Sequence, residues 1–514
     1  MSAAKDEKYL SEILEKFRAS VPLREVYEFS TTPLDRLGIP LWCVALWTET
    51  GVYYDGFGYG AGEMRARLGA WGEILESYFA SESTKNMPRL VASFNELKAR
   101  NRNAIEPPKL CLNAGCVYSP NIKLHWIEVN NFSGKGGGKT LVPLESVAVC
   151  PAHAAEIAAK DLLFRPITNG LGAGASLAQA VAHGALETVQ RDGNCLTFRA
   201  MDIGQRIELD TVKSAETREL LDYLDASGIE IIPKLAGIVA DIPVIYVVGY
   251  DRDLSRAEFP MQISACGEAA HPDREIALAK ALREYVSGRA RKHFMHGTLD
   301  KLARVAPAGY VAKMTADDIG EQENRALQAV TEWATSTGAE IFRRIEKPIL
   351  EVRSTIKFSE LPTAEFADND WDSVLKYLQT KFAEHLHTEI LYADFSELAP
   401  EGVHVVRSIV PGMEGETMSY GRIGRRNLER LLERQRTDKR VGKFVGFGGD
   451  AKPASALPIY LTATDAAKFP DAWLDPKAIA EQVGEFYALY REPESFAVGR
   501  VLRERKQRSK SYSG

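Results

Sequence analysis

Two segments of the sequence, separated by 114 positions, carry the same pattern of glycines and carboxylates. The first has GYGA at residues 58–61, followed after eleven residues by ExxE, and the second has GAGA at 172–175, followed after eleven residues by ExxQ. An internal repeat of this kind constrains the fold, because each copy is expected to form the same local structure. The polar residues that recur are Glu73, Glu76, Glu187 and Gln190.

Each copy is predicted to be a glycine turn that opens a helix. Glycines allow positive φ or close backbone contact in the turn, and apolar residues at helical spacing follow, with Ser176 able to cap the second helix. Side chains three positions apart project from neighbouring positions on a helix. If the two helices pack about a pseudo-twofold axis, three carboxylates and an amide converge.

Such convergence predicts a cation site. Buried carboxylates need positive charge, and hard oxygen ligands suit Mg²⁺, which is usually shared with nucleotide phosphates. The competing interpretation is structural, because glutamate pairs at this spacing are common on solvated helix faces and glycine turns occur widely.

The remaining chain predicts an α+β fold, since candidate strands alternate with long helices. An amphipathic helix is expected in residues 1–30, the main domain in 31–425, and a small, mostly helical extension in 426–514 that ends in a basic, disordered tail. The predicted strands are Leu41–Trp47, 124–129, Ile229–Pro233, Ile242–Tyr250 and Val403–Val410. The predicted helices begin near Glu63, Leu177, Asp273, Glu321, Trp371, Arg422 and Pro476.

The stretch SGKGGGKT at 133–140 resembles a phosphate-binding loop but misses its first glycine, because Ser133 stands there. Its flanks, LHWIEV before and TLVPLESV after, read as strands and not as the strand and helix that such a loop requires. We therefore predict a hairpin turn with solvent-exposed lysines.

Bulk composition excludes several functional classes. A net charge of −6 and a pI near 6.0 provide no general attraction to nucleic acid. The six cysteines form no CxxC pair, which argues against a zinc site or a disulfide framework. The charged start is unlike a signal peptide and no apolar run is long enough to span a bilayer, so a cytoplasmic protein without membrane association is expected.

Several motifs in order resemble those of the YcaO family, over roughly residues 30 to 420. The N-terminal matches are TPLDRLGIPLW (32–42), GFGYG (56–60) and GEILE (72–76). The most specific match is NGLGAGASLAQAVAHGALETVQRDG (169–193), and HPDREIALAKALREYVSGR (271–289) and VHVVRSIVPGME (403–414) follow it.

This resemblance implies a YcaO-type fold and an enzyme that uses ATP and Mg²⁺ to phosphorylate the oxygen of a peptide amide. Attack by a nucleophile then gives an azoline, a thioamide or an amidine, in the maturation of ribosomal peptide natural products or of a protein backbone. By similarity, Glu73, Glu76, Glu187 and Gln190 hold the metal. The nucleotide-binding residues implied are Asn169, Ser176, Glu187, Arg191, Glu284 and Arg289, although an ion pair on the helix surface also explains the last of these.

Some features depart from the family pattern. Gln190 replaces a usual glutamate, Tyr59 replaces a frequent lysine, and the sequence ends RERKQRSKSYSG where many azoline-forming members are proline-rich. Thioamide or amidine formation therefore stays open. The resemblance also implies a peptide or protein substrate, a separate leader-binding or TfuA-like partner, and a possible homodimer.

Two other functions are compatible with the residues. One is a nucleotide-binding partner or regulatory protein without catalysis, suggested by Gln190 and Tyr59. The other is a metal-dependent hydrolase, because clustered carboxylates also bind metal in such enzymes.

Overall fold

The computed structural model describes residues 3–132, 138–197, 201–316, 320, 323–415 and 421–511, and shows a mixed α and β protein. The strands are β1 Leu23–Ser30, β2 Leu41–Thr48, β3 Tyr53–Tyr59, β4 Leu90–Ala92, β5 Leu124–Asn131, β6 Lys139–Pro143, β7 Leu171–Gly174, β8 Gln205–Glu208, β9 Ile229–Val239, β10 Ile242–Asp251, β11 Cys266–Ala270, β12 Ser354–Lys357, β13 Leu391–Asp394, β14 His404–Ile409, β15 Val445–Gly446, β16 Leu457–Pro458 and β17 Trp473–Leu474.

The α-helices of the described residues range from one turn to more than six. They are α1 Ala3–Ala19, α2 Glu63–Asn86, α3 Phe94–Ala99, α4 Leu177–Thr197, α5 Ala215–Ala226, α6 Arg274–His296, α7 Leu299–Val305, α8 Tyr310–Met314, α9 Asn324–Thr335, α10 Gly338–Ile345, α11 Trp371–Leu386, α12 Arg425–Thr437, α13 Ala463–Lys468, α14 Pro476–Val483 and α15 Ala497–Ser511. Among these residues, no helix has both the length and the apolar character needed to cross a bilayer.

Three large sheets form the body of the protein. Their strand orders are β1-β2-β3, then β4-β5-β13-β14-β7 with β6 paired to β5, and β11-β10-β9-β8-β12. In the described part of the chain β3, β7 and β11 each lie at the end of their sheet, and each is the strand immediately before a long helix. A small sheet, β15-β17-β16, lies in the C-terminal segment.

These end strands and their helices form three strand–turn–helix units: β3–α2, β7–α4 and β11–α6, called here the first, second and third units. In all three, a glycine in or just before the strand precedes a helix glutamate by seventeen positions. The pairs are Gly56 with Glu73, Gly170 with Glu187, and Gly267 with Glu284. The first two units contain the two segments in which the sequence repeat was found, whereas sequence analysis did not detect the third.

Close packing of strand on helix explains why glycines recur in these strands. A Cβ on Gly58 would stand 1.7 Å from the Ala66 carbonyl oxygen, and one on Gly172 would stand 2.1 Å from that of Ala180. The helices bury apolar side chains against the sheets, including the fully buried Trp71 and Leu75 on α2, as the predicted stripe requires. A pseudo-twofold relation between the first two units stays a prediction.

Most predicted elements agree with the structure. The strands predicted at Leu41–Trp47, Ile229–Pro233, Ile242–Tyr250 and Val403–Val410 overlap β2, β9, β10 and β14, and helices begin at Glu63, Leu177, Trp371 and Pro476. Strands β5 and β6 flank the SGKGGGKT stretch as antiparallel partners, while its residues 133–137 lie outside the described residues. The domain limits stay predictions.

Two details of the predicted organisation differ from the structure. The segment 1–30 was predicted as an amphipathic helix, but it also contains strand β1. This strand pairs with β2 over its whole length and so belongs to the first sheet. The basic residues Arg500, Arg503 and Arg505, expected in a disordered tail, lie in helix α15. The C-terminal segment contains helices α12 to α15 and also the small sheet.

We predict that Gly58→Ala destabilises the protein by more than the 1–3 kcal/mol typical of overpacking, because the added methyl group overlaps a backbone carbonyl. Gly72→Ala on the following helix is the matched control, since nothing lies within 4 Å of its added Cβ. That substitution should be neutral or stabilising by up to about 1 kcal/mol. Denaturant unfolding measures both, and equal effects would contradict the packing described.

Candidate functional site

A cavity of about 1360 Å³ lies where the three units meet. Helices α2, α4 and α6 all contribute to its wall, and the glutamates of the repeat face it. The acidic and amide side chains in the wall include Glu73, Glu76, Glu187, Gln190, Glu268 and Glu284. The four polar side chains of the sequence repeat therefore line one cavity.

One hydrogen bond recurs in all three units and sets the orientation of the carboxylates. In each, a helix glutamate accepts a hydrogen bond from a backbone N–H of its own strand or of the residue just before it, which fixes the side chain at the cavity edge. The pairs are Glu73 with Phe57 N at 2.8 Å, Glu187 with Gly170 N at 2.8 Å, and Glu284 with Glu268 N at 2.9 Å.

Contacts between units run in a cycle around the cavity. Glu76 of the first unit accepts a hydrogen bond from Ala173 N of the second at 3.0 Å. Asn194 of the second unit donates to Glu268 of the third at 3.0 Å. The cycle closes where the Phe294 ring of the third unit packs edge-on against Phe57 of the first, with centroids 4.8 Å apart.

Glu73, Glu76 and Glu284 hold protons more tightly than free glutamates do. Burial, reinforced by the charges of Glu187 and Glu73, raises the pKa of Glu76 to about 8. Burial raises the pKa of Glu73 to about 7, and burial with the neighbouring Glu268 raises that of Glu284 to about 7. Glu73 is accessible from the cavity although protein surrounds it, so it is a wall residue and not part of the apolar core.

Basic side chains face the same cavity. Arg191 lies 3.4 Å from Glu187 and 3.9 Å from Glu268, so it bridges the second and third units. Lys280 and Arg291 of α6 also line the wall, and burial lowers the pKa of Lys280. A wall that alternates carboxylates and cations suits a ligand made of phosphates and metal ions.

Lys280, Arg291 and Glu268 were missed by the sequence analysis. Their signal was weak, because the third unit reads CGEAA (266–270) and lacks the GxGA pattern of the other two. The shared spacing of seventeen positions from glycine to glutamate, compared across all three segments, would have revealed them.

Arg289 does not lie at the cavity, contrary to the predicted nucleotide contact. Its guanidinium is fully buried and donates to Asp35 at 2.8 and 3.1 Å and to Asp251 at 2.8 Å. Arg36 also contacts Asp251, at 2.6 Å. An ion pair does explain Arg289, as the alternative interpretation held, but the pair is buried and not on the helix surface.

The other predicted nucleotide-binding residues do line the cavity. Asn169, Ser176, Glu187, Arg191 and Glu284 all contribute to its wall. The Ser176 hydroxyl accepts a hydrogen bond from Gln179 N at 3.1 Å, which confirms its predicted place at the start of α4.

The donor set fits Mg²⁺ shared with a ligand better than a closed protein site. Among the described residues, no group of three or more His, Cys, Asp or Glu side chains is arranged to hold a metal ion by itself. Burial chiefly raises the pKa values of Glu73 and Glu76, and repulsion from Glu187 adds to both shifts. A divalent cation would relieve that repulsion, with Gln190 as a neutral ligand.

Comparison with known proteins identifies the family. The family model described as YcaO cyclodehydratase, binding ATP and Mg²⁺, matches residues 57–414. The chain therefore belongs to the YcaO family, as the motifs indicated, and the predicted cofactors ATP and Mg²⁺ agree with the description of that family. The matched region contains all three strand–turn–helix units apart from the first residues of β3.

The individual relatives have low sequence identity to this chain. An uncharacterized protein of Methanothermobacter thermautotrophicus is 27% identical over 401 residues, which cover 77% of this chain and 91% of that protein. The structure of YcaO from Methanopyrus kandleri bound with AMPPCP and Mg²⁺ is 19% identical, with a TM-score of 0.54, 82% of this chain covered and 94% of that one. A heterocyclase in complex with substrate and cofactor is 15% identical, with a TM-score of 0.57 over 81% of this chain and 53% of that one. At these identities the two structures show a shared fold.

We predict that Mg²⁺ stabilises the protein more at pH 8.5 than at pH 6. A carboxyl group whose pKa is raised by folding contributes stability below its unfolded pKa, near 4.5, and loses that contribution as the pH rises through about 7 to 8. Mg²⁺ should restore that stability at a pH at which the carboxyl groups are ionised. Thermal melts with MgCl₂ or EDTA at both pH values measure this, and Glu73→Gln should reduce the difference. Equal Mg²⁺ effects at both values would contradict it.

We predict that Arg289→Ala lowers the free energy of unfolding by about 3–5 kcal/mol, since it leaves Asp35 and Asp251 buried without this partner. Arg436→Ala, which breaks an exposed pair with Glu433, is the control and should change it by less than about 1 kcal/mol. Denaturant unfolding distinguishes the two. A stable Arg289→Ala protein that has lost only nucleotide affinity would restore the original prediction.

Proposed function

We propose that this protein is an ATP- and Mg²⁺-dependent enzyme that phosphorylates the oxygen of a peptide backbone amide. Membership of the YcaO family supports ATP-dependent peptide modification. The observation that carries the proposal is the cavity itself, whose wall combines carboxylates from helices α2, α4 and α6 with cations from α4 and α6. Such a wall is complementary to a metal-bound polyphosphate, whereas a site for an apolar ligand would not require these charged side chains.

In this proposal the first two units hold the metal and the second and third hold the nucleotide. Glu73, Glu76, Glu187 and Gln190 are the metal ligands. Asn169, Ser176, Glu187, Arg191 and Glu284 contact the nucleotide or position groups that do, and Lys280 joins them as a phosphate contact. The fixed hydrogen bonds of Glu73 and Glu187 to strand N–H groups leave little reorganisation for metal binding.

Bound MgATP supplies the phosphoryl group that converts the amide oxygen into a leaving group. The amide oxygen attacks the γ-phosphorus and the bond to ADP breaks. A nucleophile then adds to the activated carbon, the C–O bond breaks and phosphate leaves. Lys280 and Arg191 offset the negative charge that develops during transfer, while the cavity wall keeps the amide in line with the phosphoryl group.

The chemical identity of the nucleophile determines which product forms. A neighbouring Cys, Ser or Thr of the substrate gives an azoline, sulfide gives a thioamide and an amine gives an amidine. We place the enzyme in the cytoplasm, in ribosomal peptide natural product maturation, with a separate leader-binding or TfuA-like partner and homodimer formation as further parts of the proposal.

We predict that Glu187→Gln weakens binding of AMPPCP with Mg²⁺ by about 10- to 100-fold, because it removes one anionic ligand and one charge-assisted hydrogen bond. Titration calorimetry measures the affinity. Glu82→Gln on α2, whose carboxylate pairs with Lys85 at 2.7 Å on the surface, is the matched control and should bind normally. Equal affinities for both variants would refute the site.

Turnover separates the two functions that the cavity permits. ADP release that depends on an added peptide and disappears in Glu187→Gln supports the enzyme. Tight binding of MgATP without turnover, across candidate peptides and partners, supports the alternative of a nucleotide-binding, non-catalytic partner or regulatory protein. The neutral side chain of Gln190 is the specific observation that favours this alternative.

A further inference from the structure

A second, smaller cavity adjoins the main one. Its volume is about 70 Å³, and Asn169 and Arg191 line both cavities. A water molecule needs roughly 10–15 Å³ by the same measure, so the space accommodates a ligand of about five heavy atoms. The proposed function leaves this cavity without a role.

Two arginines dominate its wall, and both donate to carbonyl oxygens. Arg407 of β14, only 4% exposed, donates to the Ala148 carbonyl at 2.7 Å. Arg422 donates to the carbonyls of Cys111 at 3.1 Å and Leu110 at 2.7 Å, and its guanidinium lies 4.1 Å from the centroid of the Phe164 ring.

Within the described part of the chain, carboxylates act on this pair only from beyond ion-pair distance, Glu414 on Arg422 and Glu187 on Arg407. Neither arginine forms an ion pair there, in contrast to Arg289, which has two carboxylate partners. The one acidic residue in the wall, Glu414, accepts hydrogen bonds from Gly424 N at 2.9 Å and Asn427 N at 3.0 Å with its two oxygens. Burial and the charge of Arg422 lower the pKa of Arg407 to about 9.

A buried guanidinium beside a half-buried one, neither with an ion-pair partner among the described residues, is costly unless an anion joins them. The amide of Asn169 adds to the donors, since its Nδ2 and the Nη1 of Arg422 each lie 3.9 Å from the position a Cβ on Gly415 would take. Arginine forks bind the oxygens of carboxylates and phosphates bidentately, and a phosphate ion has the five heavy atoms that the volume accommodates. The size and the donor set therefore agree on one class of ligand.

We propose that this small cavity is a separate subsite for a tetrahedral oxyanion, phosphate above all, beside the nucleotide. The role of this subsite rests on the proposed function. The phosphate that leaves the activated amide carbon moves past Asn169 and Arg191 into the small cavity lined by Arg407 and Arg422. The subsite separates the leaving phosphate from the carbon that has just lost it.

Calorimetric titration of inorganic phosphate into the whole protein saturated with AMPPCP and Mg²⁺ tests the subsite. We expect one phosphate to bind per chain with nucleotide present, and Arg407→Gln to weaken phosphate binding by about 10- to 100-fold. Affinity for AMPPCP should stay within about twofold. Arg436→Gln, at an exposed ion pair, is the control variant.

Several outcomes would overturn the inference: no phosphate binding to the nucleotide-saturated wild type, full competition between phosphate and AMPPCP, or unchanged binding in both Arg407→Gln and Arg422→Gln. If Arg407→Gln does not fold, Arg407→Lys and the wild-type competition experiment still decide. Failure of AMPPCP to bind at all would refute the proposed function, and phosphate titration of the nucleotide-free protein would then test the subsite by itself.

Discussion

The structure depends on one recurring hydrogen bond, from a backbone N–H at or just before a sheet's end strand to a glutamate on the helix that follows. It occurs in all three units, at 2.8 to 2.9 Å. An end strand has N–H groups that no neighbouring strand satisfies, and a carboxylate on the packed helix can accept from them. The same bond therefore completes the sheet edge and fixes the direction of a charge.

Three such charges directed at one place explain the chemistry of the cavity. Glu73, Glu187 and Glu284 carry that bond and, with Glu76, line a space large enough for a ligand, where burial raises the pKa of Glu73, Glu76 and Glu284. Glycines in the strands permit the helices to approach closely enough for this, because a side chain there would collide with helix carbonyls. Packing and electrostatics at the site thus have a common origin.

Much of this arrangement was predictable from sequence, for physical reasons that also explain the failures. The first two units share glycine and glutamate spacing, so Glu73, Glu76, Glu187 and Gln190 could be expected together. The third unit has the same geometry with a different turn, and pattern matching on GxGA missed it. Arg289 was misplaced because its partners, Asp35 and Asp251, are distant in sequence, and only the tertiary fold brings them together.

Helix α1 forms part of the cavity wall with Tyr9, Leu10, Ile13 and Phe17, yet it precedes the matched family region, which begins at residue 57. The carboxylates, in contrast, all lie inside that region. The apolar residues of α1 and the carboxylates therefore reach one cavity from separate stretches of the chain. Substitutions in α1 can change the apolar part of the wall while the charged part stays as it is.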